Sequence, residues 1–165
     1  MEIVFENNYT RNKDTAKELY RYLYFQKPLF IVLDIFLAFT FVINVVYIFI
    51  GEAYNLSILI GNPIVFILQT FLYFSHINAM VKRDRELCKN GITIHTIVTN
   101  DYVQSTSSLG DVNTLEYSNI QHVAQTKHLL LLFTKAKLIY ILKKDAFTKG
   151  NGEDFLAFLK EKGIK

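Results

Sequence analysis

Four histidines, one cysteine and a cluster of serines are the side chains of this 165-residue sequence best equipped for chemistry. Their spacing does not assemble a reaction centre. His76, His95, His122 and His128 include no pair at i, i+4, and a single Cys88 supplies no zinc-like ligand grouping. Ser105, Ser107 and Ser108 lie in a strand and turn without a Gly-x-Ser-x-Gly frame, and there is no glycine-rich phosphate loop. The residues therefore predict a protein that is not an enzyme and that needs no cofactor or catalytic metal. Cys88 can form no intrachain disulfide, which suits a reducing compartment.

A second group of polar residues is notable for where it stands. Asp34 lies five positions inside one long apolar run, and His76 five positions inside the end of another. Polar groups in hydrocarbon are costly and tend to face a partner or a cavity, so the two are a candidate intramembrane pair at matching depth. Asn62, Gln69, His76 and Arg83 recur every seven residues, which keeps them near one face of a helix, and Asn44 is placed near the depth of Gln69. Asn44, Asn62 and Gln69 thus form a candidate polar stripe. Two readings stand: the stripe holds the hairpin together while Asp34 and His76 reach towards the interface, or the pair has a proton- or ion-responsive role. The stripe also offers a surface for a homo-oligomer, although no Gly-x-x-x-Gly motif accompanies it.

The elements that must position these residues are two apolar runs, Leu29–Ile50 and Leu56–Val81, joined by Gly51–Asn55. Each is long enough to cross the ~30 Å hydrocarbon core of a bilayer, which takes ~20 residues. Arg11, Lys13, Lys17, Arg21 and Lys27 precede the first run; Lys82, Arg83, Arg85 and Lys89 follow the second; the connection carries no basic residue. Positive residues are retained on the cytoplasmic side, so both termini are expected there. Of these, Lys13, Lys17, Arg21, Lys27, Lys82, Arg83 and Arg85 are the candidate contacts to anionic lipid. The net charge of +3 is mild and crowds beside the runs, which directs the surplus to the membrane and excludes nucleic acid as a partner.

Four segments follow from this pattern. Residues 1–27 read as a short strand, Glu2–Glu6, a turn over Asn7–Arg11, and an amphipathic helix with Ala16, Leu19, Tyr20, Leu23 and Tyr24 on one side, which lies at the membrane interface or packs on the soluble domain. Residues 28–81 are the transmembrane hairpin, with spans 28–50 and 56–81, and 82–90 a basic juxtamembrane linker. Residues 91–165 form a cytoplasmic domain of six strands: Ile92–Thr99, Tyr102–Ser107, Val112–Tyr117, Ile120–Thr126, Leu129–Thr134 and Lys137–Leu142. Leu129–Phe133 has no alternation and is expected at the centre of the packing. After Lys143-Lys144 the chain is expected to leave the sheet, and Glu153–Lys162 to form a helix with Phe155, Leu156 and Leu159 on its apolar face. Ile3 and Phe5 alternate with polar neighbours, so the N-terminal strand is expected to join this domain.

The fold class expected is an α+β membrane protein: a two-helix transmembrane hairpin plus a cytoplasmic, pleckstrin-homology-like antiparallel split barrel closed by a C-terminal helix. Tyr117-Ser118-Asn119-Ile120 followed by Val123, the strand pair Leu129–Phe133 and Leu138–Leu142, and Lys144-Asp145-Ala146-Phe147 before Asp154-Phe155 carry a further signal. In that order and pattern the chain resembles the bacterial YcxB-like membrane proteins. Lys143 stands where a proline is expected, a departure at a turn. The resemblance implies residence in the bacterial plasma membrane and a cytoplasmic barrel, and it implies no reaction.

The function expected is a membrane-anchored cytoplasmic binding or regulatory module, whose partners are the lipid bilayer and a protein held on the barrel. A small membrane immunity or resistance protein acting against a membrane-active toxin or peptide is the alternative. A phosphoinositide site is disfavoured, because the loop between the first two strands of the domain is Asn100-Asp101 and no arginine occurs after Arg85.

Overall fold

A computed structural model describes residues 2–89 and 91–164. Met1, Asn90 and Lys165, which end three of the four expected segments, lie outside the described residues. The element order is β1 (Ile3–Thr10), α1 (Lys13–Phe25), α2 (Pro28–Ile50), α3 (Leu56–Leu87), β2 (Thr93–Thr99), β3 (Tyr102–Ser107), β4 (Val112–Glu116), β5 (Ile120–Gln125), β6 (Leu129–Thr134), β7 (Ile139–Lys143), β8 (Phe147–Lys149) and α4 (Gly152–Glu161). Two compact units result. One, the β unit, gathers the chain up to Glu18 and from Val81 onward; the other, the helical unit, holds Leu19–Met80.

In the β unit the strands form two antiparallel sheets, ordered β4-β3-β2-β1-β8 and β5-β6-β7. No ladder joins the sheets into a closed cylinder among the described residues, so the antiparallel sheets expected are present and the barrel is not closed. The physical reason lies at the two places where the sheets meet. Between β4 and β5 one turn of 3-10 helix, Tyr117–Asn119, carries the chain across without pairing. Between β1 and β7 a side chain replaces the ladder: Asn7 Nδ2 donates to the Lys143 carbonyl at 2.8 Å, and the Lys143 N–H donates to Asn7 Oδ1 at 3.3 Å.

β1 pairs with β2, from Ile3 opposite Thr99 to Thr10 opposite Thr93, so the N-terminal strand joins the later ones as expected. It also runs through the residues expected to turn. Phe5, Asn7 and Tyr9 are all buried and alternate with more exposed neighbours, but Asn7 breaks the apolar pattern and conceals the period of two. Nor does the chain leave the sheet after Lys144. β8 returns to pair with β1, Asn7 opposite Phe147 and Glu6 opposite Lys149, in a strand of three residues with too little pattern to read.

The core lies between the sheets. Phe5, Val98, Val103, Leu115, Leu130, Leu132 and Leu142 meet Phe155 and Leu159 of α4 there. Asn151 caps α4 by accepting the Asp154 N–H at 2.8 Å, and acidic Glu153 and Asp154 occupy its first turn. Phe5 contacts both Phe155 and Phe158 at 5.5 Å between ring centroids. β6 is buried on both faces, as its unbroken leucines predict.

The helical unit is an antiparallel hairpin. α2 has 23 residues and α3 has 32, and both are long and apolar enough to cross a bilayer by length and composition. Nearly all of their apolar surface is exposed, with only 6% of each apolar stretch buried within the protein. α3 runs beyond the apolar run to Leu87, because Lys82–Leu87 continues as a helix with Lys82 and Glu86 at 3.8 Å. Asn12 caps α1, accepting the Thr15 N–H at 2.9 Å.

Candidate functional site

Polar side chains hold the apolar hairpin together at its closed end. Asn62 Nδ2 on α3 donates to the Leu37 carbonyl and to Thr40 Oγ1 on α2, both at 2.8 Å. Asn44 Nδ2 donates to the Thr40 carbonyl at 2.9 Å, while its Oδ1 accepts the Asn55 N–H at 2.7 Å. Asn55 in turn accepts the Ser57 N–H at 2.9 Å and so caps α3. Asn44 and Asn62 are both buried. We expect Asn62→Leu to cost the full chain about 0.6 kcal/mol and no more than ~2, read as thermal stability in detergent, since interhelical polar contacts are worth that much.

Asp34 and His76 are not brought together. Asp34 Oδ2 accepts a hydrogen bond from the Tyr24 hydroxyl at the end of α1, and His76 is exposed. The expected depth match counted inward from the outer ends of two runs of unequal length. The Asn62–Thr40 contact sets the true register. It places Asp34, six residues before Thr40, level with Leu68, six residues after Asn62. His76 is then eight residues further, about 12 Å along the axis. The same register separates Asn44 from Gln69, which lines a 310 Å³ cavity with Asp34, Tyr24 and Arg21. Asp34 Oδ1 is buried with no hydrogen-bond partner among the described residues. Tyr24 was legible only as an aromatic at the end of a helix; its ring stacks on Phe30, which turns the hydroxyl towards α2.

All seven candidate lipid-contacting residues, Lys13, Lys17, Arg21, Lys27, Lys82, Arg83 and Arg85, are exposed. Lys17 lies 3.9 Å from Asp14, and Lys27 sits over the Phe30 ring at 5.5 Å.

In the β unit a bidentate ion pair went unread in the sequence. Arg11 Nε and an Arg11 terminal nitrogen donate to the two oxygens of Asp84, each at 2.6 Å, and the Asp84 side chain is only 4% exposed. Arg11 follows β1 and Asp84 lies in the last turns of α3, so the pair ties the chain leaving for the hairpin to the chain returning from it. In the sequence Arg11 reads as a basic residue closing a turn, and Asp84 falls unremarked within the basic linker 82–90. Tyr9 stands beside them, and burial, partly offset by the Arg11 guanidinium and reinforced by Asp84, pushes its phenol well above the ordinary range. Its hydroxyl is buried with no partner among the described residues.

Glu18 forms the other polar cluster. It accepts from the Thr126 hydroxyl at 2.5 Å, the His128 N–H at 2.7 Å and His128 Nδ1 at 2.9 Å. Burial alone would raise its pKa, but these donors outweigh it and hold the carboxyl below the usual range. A lowered folded value makes the contribution present above the unfolded pKa and lost as pH falls through the folded one. The Tm difference between the native chain and Glu18→Gln should therefore be largest near neutrality and vanish in acid; a difference that grows in acid would contradict the arrangement.

A groove of 470 Å³ opens between the sheets at the end where β1 finishes and the last turns of α3 return to the unit. Its walls include Tyr9, Arg11, Arg83, Ile94, Ser105 and Ile139. That volume lies within the ~300–1,000 Å³ of small-molecule sites. Among the described residues no three His, Cys, Asp or Glu side chains gather as a metal site.

No curated protein and no solved structure matches the chain. A match to a family model, described as YcxB-like protein, covers residues 98–159, from the end of β2 to α4. The matched stretch takes in β3 to β8, strands of both sheets, while β1 and the apolar hairpin lie outside it; over residues 98–159 the chain is similar to that family.

Proposed function

We propose that the protein is a membrane-anchored binding module: the hairpin spans the bacterial plasma membrane, both termini are cytoplasmic, and the β unit is a pleckstrin-homology-like split barrel that holds a protein partner without performing a reaction. The observation that carries this reading is the place of the hairpin in the chain. β1 and β2 are neighbours in one sheet, yet α1, α2 and α3 all stand between them in sequence. A pair of helices with exposed apolar surface, inserted into the connection of two paired strands, anchors the unit at both ends of the insertion. The flanking Lys and Arg side chains favour the cytoplasmic side for that unit. Five plus three antiparallel strands with one amphipathic helix packed into the core support the split-barrel reading.

Co-purification tests it. The full chain, extracted from native membranes in mild detergent, is expected to bring down one protein in near-stoichiometric amount by quantitative mass spectrometry, and to remain with the membranes under alkaline carbonate. Release by carbonate would remove the anchor from the account, and purification without any stoichiometric partner would remove the binding role.

A further inference from the structure

β7 ends its sheet, and the groove runs along that free edge. Leu138, Ile139, Tyr140 and Ile141 all line it. Side chains of consecutive strand residues point to opposite faces, so four in a row border one groove only where the edge of the strand itself faces it. The register with β6 fixes which main-chain groups look outward. Lys144 donates to the His128 carbonyl at 2.8 Å and Thr134 to the Leu138 carbonyl at 2.9 Å, so the even-numbered residues of β7 bond to β6. Ile139, Ile141 and Lys143 therefore direct N–H and C=O away from it. Those of Lys143 are taken by the Asn7 carboxamide. Beyond Asn7, no strand pairs with this edge among the described residues, which leaves two N–H and two C=O groups open to the groove.

The opposite wall is made for a ligand with polar main chain and apolar side chains. The inner face of β2 and β3, apolar at Val98 and Val103, changes here to Ile94, Ser105 and Ser107, small or half-buried groups that leave the space unfilled. Ser105 and Thr96 bond to each other at 2.8 Å, so the wall is itself satisfied. Tyr9, whose buried hydroxyl has no partner among the described residues, also lines the groove. At the end towards α3 stands Arg83, exposed and without an ion pair among the described residues, whereas Arg11 is neutralised by Asp84 and the third charged side chain of the lining, Asp111, accepts from the Ser107 hydroxyl at 3.2 Å.

We propose that this groove takes an extended peptide segment, which adds to β7 as a fourth strand, alternates apolar side chains into the space facing Ile94, and places an acidic residue against Arg83. The inference rests on the binding-module reading and gives that module its site and the chemistry of its partner. Main-chain pairing supplies affinity in such strand addition, and the pockets for alternate side chains supply selectivity. An acyl chain would fill the apolar space and leave the four main-chain groups of Ile139 and Ile141 unpaired, at the cost that attends buried unsatisfied polar groups. The outer edge of the larger sheet, β4, is also unpaired; of its residues only Asn113, which pairs with Ser105, lines the groove, so the amides of Thr114 and Glu116 serve as the internal control.

The experiment uses the full chain in phosphatidylcholine nanodiscs and, as probe, an acetylated octapeptide of alternating threonine and valine that ends in two glutamates. Amide hydrogen exchange is followed by NMR. Exchange at Ile139 and Ile141 should slow by about tenfold or more on addition of the peptide, with the β4 amides of Thr114 and Glu116 unchanged. Arg83→Glu should weaken binding about tenfold, and an otherwise identical peptide ending in two lysines should bind that variant better than the native chain. Unchanged exchange at Ile139 and Ile141 with the peptide at millimolar concentration would overturn the proposal. So would slowing confined to β4, or slow exchange at Ile139 and Ile141 in nanodiscs before any peptide is added, the signature of a lipid occupant. None of these outcomes alters retention in carbonate-washed membranes or recovery of a partner, so failure here is distinguishable from failure of the binding-module reading.

Discussion

Asp84→Ala should be the most damaging single substitution in the β unit, costing about 3–5 kcal/mol, because it leaves the Arg11 guanidinium in a largely buried site with no counter-charge. Small domains are typically stable by only ~5–15 kcal/mol, so the loss is large in proportion. The effect should appear as a lowered Tm of the full chain in detergent, followed by near-ultraviolet circular dichroism. Arg11→Met combined with Asp84→Leu should recover most of it, since two apolar groups of similar volume carry no desolvation debt. If the double variant is as unstable as Asp84→Ala alone, the loss comes from packing and the ion-pair account is wrong. The Arg11 N–H also donates to the Ile92 carbonyl at 2.9 Å, so this corner is held by main chain as well as by charge.

Gly150→Ala is expected to cost about 3 kcal/mol or more, for two reasons that add. Its φ of +75° lies in the left-handed region, where an L side chain costs ~1–2 kcal/mol. A methyl group there would also stand 2.4 Å and 2.8 Å from two ring carbons of Phe5. Phe5 is buried and lies against Phe155 and Phe158, so its ring has nowhere to go, and overpacking of this kind costs a further ~1–3 kcal/mol. Gly110 separates the two terms. It has φ of +90° with nothing within 4 Å of an added Cβ, so Gly110→Ala should show the conformational cost alone. Equal losses at the two glycines, measured by thermal or denaturant unfolding, would mean that the Phe5 ring yields freely.

How far the sequence revealed this architecture depended on whether each residue's role followed from its own type. Tyr102–Ser107 and Leu129–Thr134 were bounded correctly, because turn residues flank them and their side chains carry the burial pattern directly. The apolar hairpin was plain from length alone. β1 was cut short because Asn7, a polar residue, is fully buried through a contact with Lys143 far along the chain, and no local pattern announces that partner. β8 escaped notice because three residues have no period. Asp34 was identified as a residue needing a donor, which it is, but the donor is Tyr24: helix register depends on where Asn62 meets Thr40, not on where the apolar runs end. The groove beside β7 was the least legible feature. It is an absence of pairing, and only the juxtaposition of two sheets creates it.

The central claim, a hairpin that crosses the membrane with the β unit on the cytoplasmic side, is tested most directly by cysteine accessibility in intact cells. Glu52 lies in the short connection between α2 and α3, and native Cys88 just past the end of α3. With a membrane-impermeant maleimide, Glu52→Cys should be labelled from outside while Cys88 is labelled only after the cells are permeabilised. Labelling of Cys88 in intact cells, or protection of Glu52→Cys until permeabilisation, would contradict the account.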